Sequence, residues 1–254
     1  MILPACRPFS VPFSVKGSSS VIKRTFDIVV SLLAIALALP FWALVAVAVK
    51  LDSPGPVFYH ATRTGQGGRP FTMFKFRTMV QGAAASGPAV TRGGDPRITR
   101  VGRILRDLKI DETPQLVNVL RGEMSIIGPR PEHPRYVAHY TPEQRRVLAV
   151  RPGIAGPAAV RYRHEEKLLA AAGGDVEAVY LTTIMPEKLR LDLEYVERQS
   201  FLYDLRLLVQ GACSVFRRYS AARPGLPAGP GAAPQPAQRP ASPGSPRSHG
   251  VCHQ

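Results

Sequence analysis

A run of mostly apolar residues, 28–49, constrains most strongly how this 254-residue chain can fold. About twenty such residues match the hydrocarbon thickness of a bilayer if they form one straight helix. Pro40 lies near the middle of the run, where it removes a backbone donor and clashes with the preceding turn. The run is longer than the core of a secretion signal and starts late, which favours membrane attachment over that alternative and over a buried core helix.

Basic residues stand on both sides of the apolar run, and lysine and arginine tend to hold their end of a membrane segment in the cytoplasm. They are Arg7, Lys16, Lys23 and Arg24 before the run, and Lys50, Arg63, Arg69, Lys75 and Arg77 after it. Because both ends favour the same side, we expect a re-entrant membrane helix that is broken at Pro40 and returns, rather than a span. This places the protein on the cytoplasmic face.

The charge balance narrows the class of partner. The chain has 33 Lys and Arg against 18 Asp and Glu, a net charge of +15, which favours nucleic acid, anionic lipid or phosphorylated small molecules. With a membrane segment present and 7% aromatic residues for base stacking, lipid and phosphate substrates rank above nucleic acid. The three cysteines, Cys6, Cys213 and Cys252, are far apart and predict neither a disulfide framework nor a zinc site.

Four segments follow from the composition along the chain. Residues 1–20 form a loose leader, and 21–52 form the membrane helix. Residues 53–220 are long enough for one catalytic domain. Residues 221–254 are rich in proline and glycine and contain no acidic residue, so we expect this tail to be disordered.

Apolar periodicity and turn residues predict a mainly helical α+β domain with a short β-hairpin. The hairpin strands are expected at 57–60 and 71–76, and a short strand at 124–127. One helix should bury Val101, Ile104, Leu105 and Leu108; a second should run from near Pro114 to Gly122; a third should begin at Pro186. Ser200 should cap an amphipathic helix whose apolar face suits core packing or the lipid interface equally.

Asp111 and Glu112 are adjacent carboxylates that follow an arginine-lined helix. An isolated Asp in this position most often caps the next helix. Two carboxylates beside arginines also suit phosphoryl chemistry, because a carboxylate can attack phosphorus while its neighbour handles protons or a metal ion. The arginines would keep both groups ionised and neutralise phosphoryl oxygens.

Three further cations are candidates for phosphate binding, each with an ordinary alternative. Arg130 lies between Pro129 and Pro131, so its guanidinium is held on a rigid turn; it is otherwise an exposed turn arginine. Lys75 belongs to an alternating strand that is either a phosphate-facing surface or a half-buried edge. Arg151 precedes Pro152 in a second rigid turn and has the same ambiguity.

Several stretches together resemble the bacterial sugar transferases, the monotopic phosphoglycosyl transferases that begin lipid-linked glycan assembly. The matching stretches occur in the family's order and cover about residues 21–218. They are KRTFD at 23–27, SPGPVF at 53–58, KFRTM at 75–79, DPRITRVG at 95–102, IDETPQLVNVLRG at 110–122, MSIIGPRP at 124–131 and RPGI at 151–154.

The resemblance implies a Mg²⁺-dependent enzyme of the bacterial inner membrane. Such an enzyme moves a sugar 1-phosphate from a UDP-sugar to a polyprenyl (undecaprenyl) phosphate and releases UMP. It assigns the nucleophile, and with it the contact to Mg²⁺, to Asp111, and an acid/base or metal-assisting role to Glu112. Arg106 and Arg130 would hold phosphate groups with Lys75 close by, and membrane lipid would be a further partner.

The sequence departs from the family at two places. Leu39 stands where the family has a serine before the helix-breaking proline, so the hydroxyl that could bond the freed carbonyl is missing. Ala61 stands where the family often has a glutamine. The donor sugar, the glycan and the oligomeric state stay open, with a homodimer as one option. The rival interpretation is a non-catalytic basic adaptor that binds anionic lipid.

Overall fold

A computed structural model describes residues 17–83, 87, 90–91, 93–172 and 174–216. The predicted leader up to residue 16 and the predicted tail at 221–254 lie outside these residues. Nine α-helices and four strands follow in chain order in the described part. They are α1 (Gly17–Asp52), β1 (Phe58–Thr64), β2 (Pro70–Phe76), α2 (Arg100–Asp107), α3 (Gln115–Leu120), β3 (Ser125–Ile127), α4 (Pro134–Val137), β4 (Gly153–Ala155), α5 (Pro157–Arg161), α6 (Glu165–Ala172), α7 (Val176–Val179), α8 (Met185–Arg198) and α9 (Phe201–Phe216).

Helix α1 is a long apolar helix that the rest of the protein leaves largely uncovered. Its most apolar 18-residue window is only 11% buried. Large side chains along it are exposed, among them Leu33, Leu37 and Leu44. A buried core helix would show the opposite, and an apolar surface of this length in water marks a contact with membrane or protein. The structure therefore favours membrane association over core packing for this segment.

The predicted break at Pro40 is not present as an end of the helix. Helix α1 continues through Pro40 from Gly17 to Asp52, and it begins before the expected boundary at residue 21. A proline removes one hydrogen bond and displaces the carbonyl of the residue four positions earlier, which bends a helix more often than it ends it. Leu39 is exposed, and leucine has no hydroxyl that could bond the freed carbonyl.

Both ends of α1 are attached to the folded domain. Near the start, Lys23 donates to the carbonyl of Ile127 at 2.9 Å and Arg24 donates to the carbonyl of Leu120 at 2.9 Å. At the end, Asp52 accepts from the backbone N–H of Val101 at 2.9 Å. Arg77 donates to the carbonyls of residues 49, 53 and 54 and so satisfies the C-terminus of the helix.

The predicted hairpin is confirmed. Strands β1 and β2 pair antiparallel in the register Phe58↔Phe76 to Thr64↔Pro70. A 3₁₀ turn joins them, in which Gly67 and Gly68 have φ of 67° and 77°, a conformation that favours glycine. Strand β2 lies against α3, and the side chain of Asn118 bonds the backbone of Thr72 and Phe74.

Helix α2 forms where it was expected but buries a different face. Ile104 and Leu108 are 59% and 53% exposed, whereas Gly102 and Leu105 are buried. A Cβ at Gly102 would lie 2.1 Å from the carbonyl oxygen of Thr78, so this close approach turns the Gly102 side of the helix inward. In α9, likewise, Asp204 and Leu207 point inward while Leu205 and Val209 are exposed. These outward apolar residues match a lipid-facing surface better than a core.

The two proline-rich turns of the sequence lie side by side. Strands β3 and β4 pair in parallel, with Ser125 opposite Gly153 and Ile127 opposite Ala155. The pairing extends into the turn, where the N–H of Gly153 donates to the carbonyl of Pro129 at 2.8 Å. A Cβ on Gly153 would lie 2.1 Å from the nitrogen of Gly128, so the chains approach as closely as glycine allows. This contact fixes the backbone that carries Arg130.

Candidate active site

Asp111 and Glu112 lie in a 3₁₀ turn, Ile110–Glu112, between α2 and α3. The residue before it, Lys109, is the N-cap of this turn with φ 59°, and it is the sole non-glycine with positive φ in the described part of the chain. Such a strained position is more common at functional sites than elsewhere. Thr113 follows the turn and accepts from the indole N–H of Trp42 at 3.0 Å, which ties the turn to the membrane helix.

Glu112 is held by two cations. Its carboxylate accepts from Lys75 at 2.9 Å and, through both oxygens, from the Arg130 guanidinium at 2.5 and 3.2 Å. Burial would raise the pKa of Glu112, but the charges of Arg130 and Lys75 outweigh it and hold that pKa well below its usual range. Glu112 is therefore ionised at neutral pH. Burial in turn lowers the pKa of Lys75.

Asp111 has the opposite environment. The residue is 6% exposed, and its Oδ1 atom has no hydrogen-bond partner among the described residues. Pro114 occupies the N-cap position of α3, so the interpretation of Asp111 as a helix cap is wrong. Burial raises the pKa of Asp111, and the nearby charge of Lys75 opposes this rise. A buried carboxylate oxygen without a partner is rare in a purely structural role, because leaving it unbonded is unfavourable.

Arg106 lies at the edge of this group. Its Nε donates to the hydroxyl of Thr78 at 2.9 Å, and one terminal nitrogen bonds Glu166 at 2.7 Å. Its charge lowers the pKa of Asp111, so the two groups are near each other although they are not in contact. An incoming phosphate would compete with Glu166 for this guanidinium.

Arg151 is not part of the group. It lines a separate cleft beside the hairpin turn, together with Arg69 and Arg121. The structure thus brings together Asp111, Glu112, Lys75 and Arg130, with Arg106 adjacent. The predicted role of Arg151 in binding a substrate phosphate stays a prediction.

A buried polar network behind Arg130 was not expected from the sequence. Lys188 bonds Glu165 at 2.8 Å and the hydroxyl of Tyr180 at 3.2 Å, and that hydroxyl donates to Glu132. Tyr180 begins a short π-helical turn, a feature common near functional sites. The spacing of these residues in the sequence carries no periodic signal, which is why only the folded chain shows them as a group.

Asp192 supports the Arg130 turn from α8. It is buried, and its carboxylate accepts from the backbone N–H groups of Ala158 and Arg130. Burial raises the pKa of Asp192 from 3.8 to about 7, against the opposing charge of Lys188. Because the pKa is raised on folding, protonation of Asp192 favours the folded state. This contribution to the free energy of unfolding is complete below about pH 4 and is lost as the pH rises through about 7.

We therefore expect Asp192→Asn to remove a pH dependence. In the wild type this one group should decrease the free energy of unfolding by about 1.4 kcal/mol per pH unit between about pH 4 and 7. Asparagine keeps the acceptor oxygen without the charge, so the variant should lack this slope. Denaturant unfolding at several pH values measures it, with Glu194→Gln on the exposed side of α8 as the control. Parallel pH profiles for wild type and Asp192→Asn would contradict the assignment.

The site suits a divalent cation that substrate oxygens help to hold. Among the described residues there is no group of three or more His, Cys, Asp or Glu side chains placed to hold a metal. Mg²⁺ does not need such a group, since it is commonly bound through one or two carboxylates together with substrate phosphates and water. The unpartnered oxygen of Asp111 is a ligand of the required type, while Glu112 is already occupied by cations.

Comparison with known proteins agrees with the site. The model of the bacterial sugar transferase family matches residues 18–218. A UDP-glucose:undecaprenyl-phosphate glucose-1-phosphate transferase of Caulobacter vibrioides is 42% identical over 193 residues, covering 74% of this chain and 67% of the relative. A UDP-N-acetylgalactosamine-undecaprenyl-phosphate N-acetylgalactosaminephosphotransferase of Aeromonas hydrophila is 46% identical over 55% of this chain and 34% of its own length. A glucose-1-phosphate transferase of Escherichia coli is 36% identical over 81% of this chain and 42% of its own length.

The chain combines a long uncovered apolar helix with a buried Asp-Glu pair and its cations, and the relatives named above are sugar-phosphate transferases that use undecaprenyl phosphate. The chain belongs to the bacterial sugar transferase family. It spans about a third to two thirds of the length of the relatives named above, so their full activities do not transfer automatically.

Proposed function

We propose that this protein transfers a sugar 1-phosphate from a UDP-sugar to a polyprenyl phosphate and releases UMP, using Asp111 as a covalent nucleophile. The observation that carries the proposal is the buried Asp111 carboxylate, which has an unpartnered oxygen while its neighbour Glu112 is fully engaged by Lys75 and Arg130. The names of the relatives support the donor and acceptor classes.

The reaction has two displacements at phosphorus. In the first, an Asp111 oxygen attacks the phosphorus next to the sugar, the bond from that phosphorus to the bridging oxygen breaks, and UMP leaves with the electron pair. In the second, a phosphate oxygen of the lipid attacks the same phosphorus, and the Asp111 carboxylate leaves. Neither step requires an outside oxidant or reductant, and the nucleophile is regenerated.

The cations near Asp111 neutralise negative charge in this mechanism and do not transfer protons. Catalysis of phosphoryl transfer depends mainly on positioning and on neutralising the transferring oxygens. Glu112 remains ionised at neutral pH, so it orients Lys75 and Arg130 rather than donating a proton. Mg²⁺ held by Asp111 and substrate oxygens would supply further neutralisation of the diphosphate.

A panel of donors tests the reaction. Purified protein in membranes is incubated with polyprenyl phosphate and one UDP-sugar at a time, beginning with UDP-glucose and UDP-N-acetylgalactosamine, and UMP is measured. We expect UMP release with at least one donor and none without the lipid phosphate beyond a single turnover. A basic adaptor would instead bind anionic vesicles, release no UMP and lose binding uniformly as salt rises.

For the topology, we propose that α1 enters one side of the inner membrane and returns, with the domain on the cytoplasmic face. Ser31 is buried and Trp42 bonds Thr113, whereas none of the ten residues between them, 32–41, is buried. Ten helical residues extend about 15 Å, half of the roughly 30 Å of hydrocarbon in a bilayer. With both ends attached to one domain, this stretch is too short to cross.

Accessibility labelling tests the topology. In a variant whose three native cysteines are serine, Thr25→Cys and Lys50→Cys report the two ends of α1. We expect both to be protected from a membrane-impermeant maleimide outside intact cells and both to react in inverted membrane vesicles. Leu37→Cys is the lipid-embedded control and should react from neither side. Reaction of either end from outside would show a span.

A further inference from the structure

A cleft of about 570 Å³ lies beside the hairpin turn, away from the Asp111 turn. Its lining includes Gly65, Arg69, Phe71, Arg121, Glu123 and Arg151. We propose that this cleft binds the nucleoside monophosphate end of the sugar donor, the part that leaves as UMP, an inference that rests on the proposed function. Its volume lies within the range of small-molecule sites.

The three arginines of the cleft are available to an anion. In the described part of the chain, none of Arg69, Arg121 and Arg151 forms a salt bridge; Arg121 stacks over the ring of Phe74 at 4.8 Å. Arg106 and Arg130, in contrast, are both paired with carboxylates. Guanidinium groups without carboxylate partners, gathered around one cavity, suit the oxygens of phosphate groups.

The one carboxylate in the described lining does not cancel this charge. Glu123 accepts a hydrogen bond from the side-chain amide of Asn118 at 2.7 Å, which holds it toward α3. Three arginines against one glutamate leave the cleft with a formal charge of +2. The ring of Phe71 adds an apolar wall, a surface suited to a nucleobase rather than to inorganic phosphate alone.

The position of the cleft along the hairpin favours a soluble ligand over a lipid headgroup. Exposed apolar residues of the hairpin, Phe58 and Tyr59, lie at its open end near α1, where Phe58 pairs with Phe76. The cleft lies at the turn end, where Thr64 pairs with Pro70, six residues or about 20 Å further along. The cleft is therefore at the end of the hairpin remote from these exposed aromatic residues.

The same strand leads from the cleft to the reacting carboxylate. Phe71 and Lys75 project from one face of β2, four residues or about 13 Å apart, and Lys75 contacts Glu112. Arg63 pairs with Phe71 across the hairpin, and its charge lowers the pKa of Lys75. A donor whose sugar phosphorus is at Asp111 would thus pass along a cationic face with its nucleoside in the cleft.

Direct binding of UDP to the full chain in nanodiscs tests the inference without turnover. Isothermal titration should give a Kd about tenfold higher for Arg151→Gln and for Arg121→Gln, because each removes a charged hydrogen-bond donor. Arg190→Gln, at an exposed arginine of α8 outside the cleft, is the control and should leave the Kd unchanged.

The outcomes separate this inference from the proposed function. If UDP binding depends on Arg121 and Arg151 but no donor gives UMP, the cleft binds the nucleotide and the proposed transfer reaction is wrong. If UMP is released and both arginine variants keep the Kd for UDP and the KM for the donor, the cleft does not bind the nucleotide. Loss of binding to phosphatidylglycerol vesicles, with UDP affinity unchanged, would show that the arginines contact lipid headgroups instead.

Discussion

Asp111→Asn is expected to abolish UMP release, with a decrease in turnover of about 10⁴-fold or more, the scale seen when a covalent nucleophile is removed. The substitution retains the size of the side chain and removes only the charge and the nucleophilic oxygen. Turnover is measured as UMP formed from the preferred UDP-sugar in the presence of polyprenyl phosphate. Asp107→Asn, an exposed carboxylate at the end of α2, is the matched control and should be active.

Thermal unfolding of the same variant separates a catalytic role from a structural one. The Asp111 carboxylate is buried and its Oδ1 has no partner, so its charge opposes folding. Asp111→Asn should therefore keep the melting temperature of the wild type or raise it. An inactive variant with a melting temperature several degrees lower would mean that Asp111 supports the fold, and the nucleophile assignment would then lack its main support.

Arg130→Gln should combine a large loss of stability with a large loss of activity. It removes the two-point contact to Glu112 and leaves a buried carboxylate with Lys75 alone. Removing one partner of a buried ion pair costs about 3–5 kcal/mol in the free energy of unfolding. Turnover should decrease about 10²-fold or more, as when one donor that stabilises transition-state charge is lost. Denaturant unfolding and UMP release are measured on the same preparation.

The exposed pair Arg135 and Glu177 is the control for this ion pair. Arg135→Gln should change stability by less than about 1 kcal/mol, because surface pairs contribute little. Adding Glu112→Gln to Arg130→Gln should recover part of the stability without recovering turnover. If the double variant were as active as the wild type, the two side chains would serve the fold and not the reaction.

Local signals in the sequence were sufficient for much of the fold. Alternation and glycine predicted the hairpin, Gly122 with φ 82° follows α3 as expected, and Pro186 lies at the start of α8. Ser200 accepts from the N–H of Tyr203 at the start of α9. Each of these depends on residues within one or two turns, which a single sequence displays directly.

Contacts between distant segments could not be read in the same way. Helical spacing identified an apolar face on α2, but the fit of Gly102 against Thr78 decides which side turns inward. Arg151 and Arg130 precede prolines in similar turns, yet β3 and β4 place only Arg130 beside Glu112. The partners of Glu112 are 37 and 18 residues away in the chain, and no periodicity connects them.

The short uncovered stretch of α1 also has a mechanical consequence. In the topology proposed above, α1 enters from one side and extends about 15 Å, so it adds its cross-section to one leaflet and not to the other. The bilayer must accommodate this unequal area, and it does so most easily where it already curves or where its lipids are loosely packed. The curvature and lateral tension of the membrane are thus variables that should control where this enzyme resides.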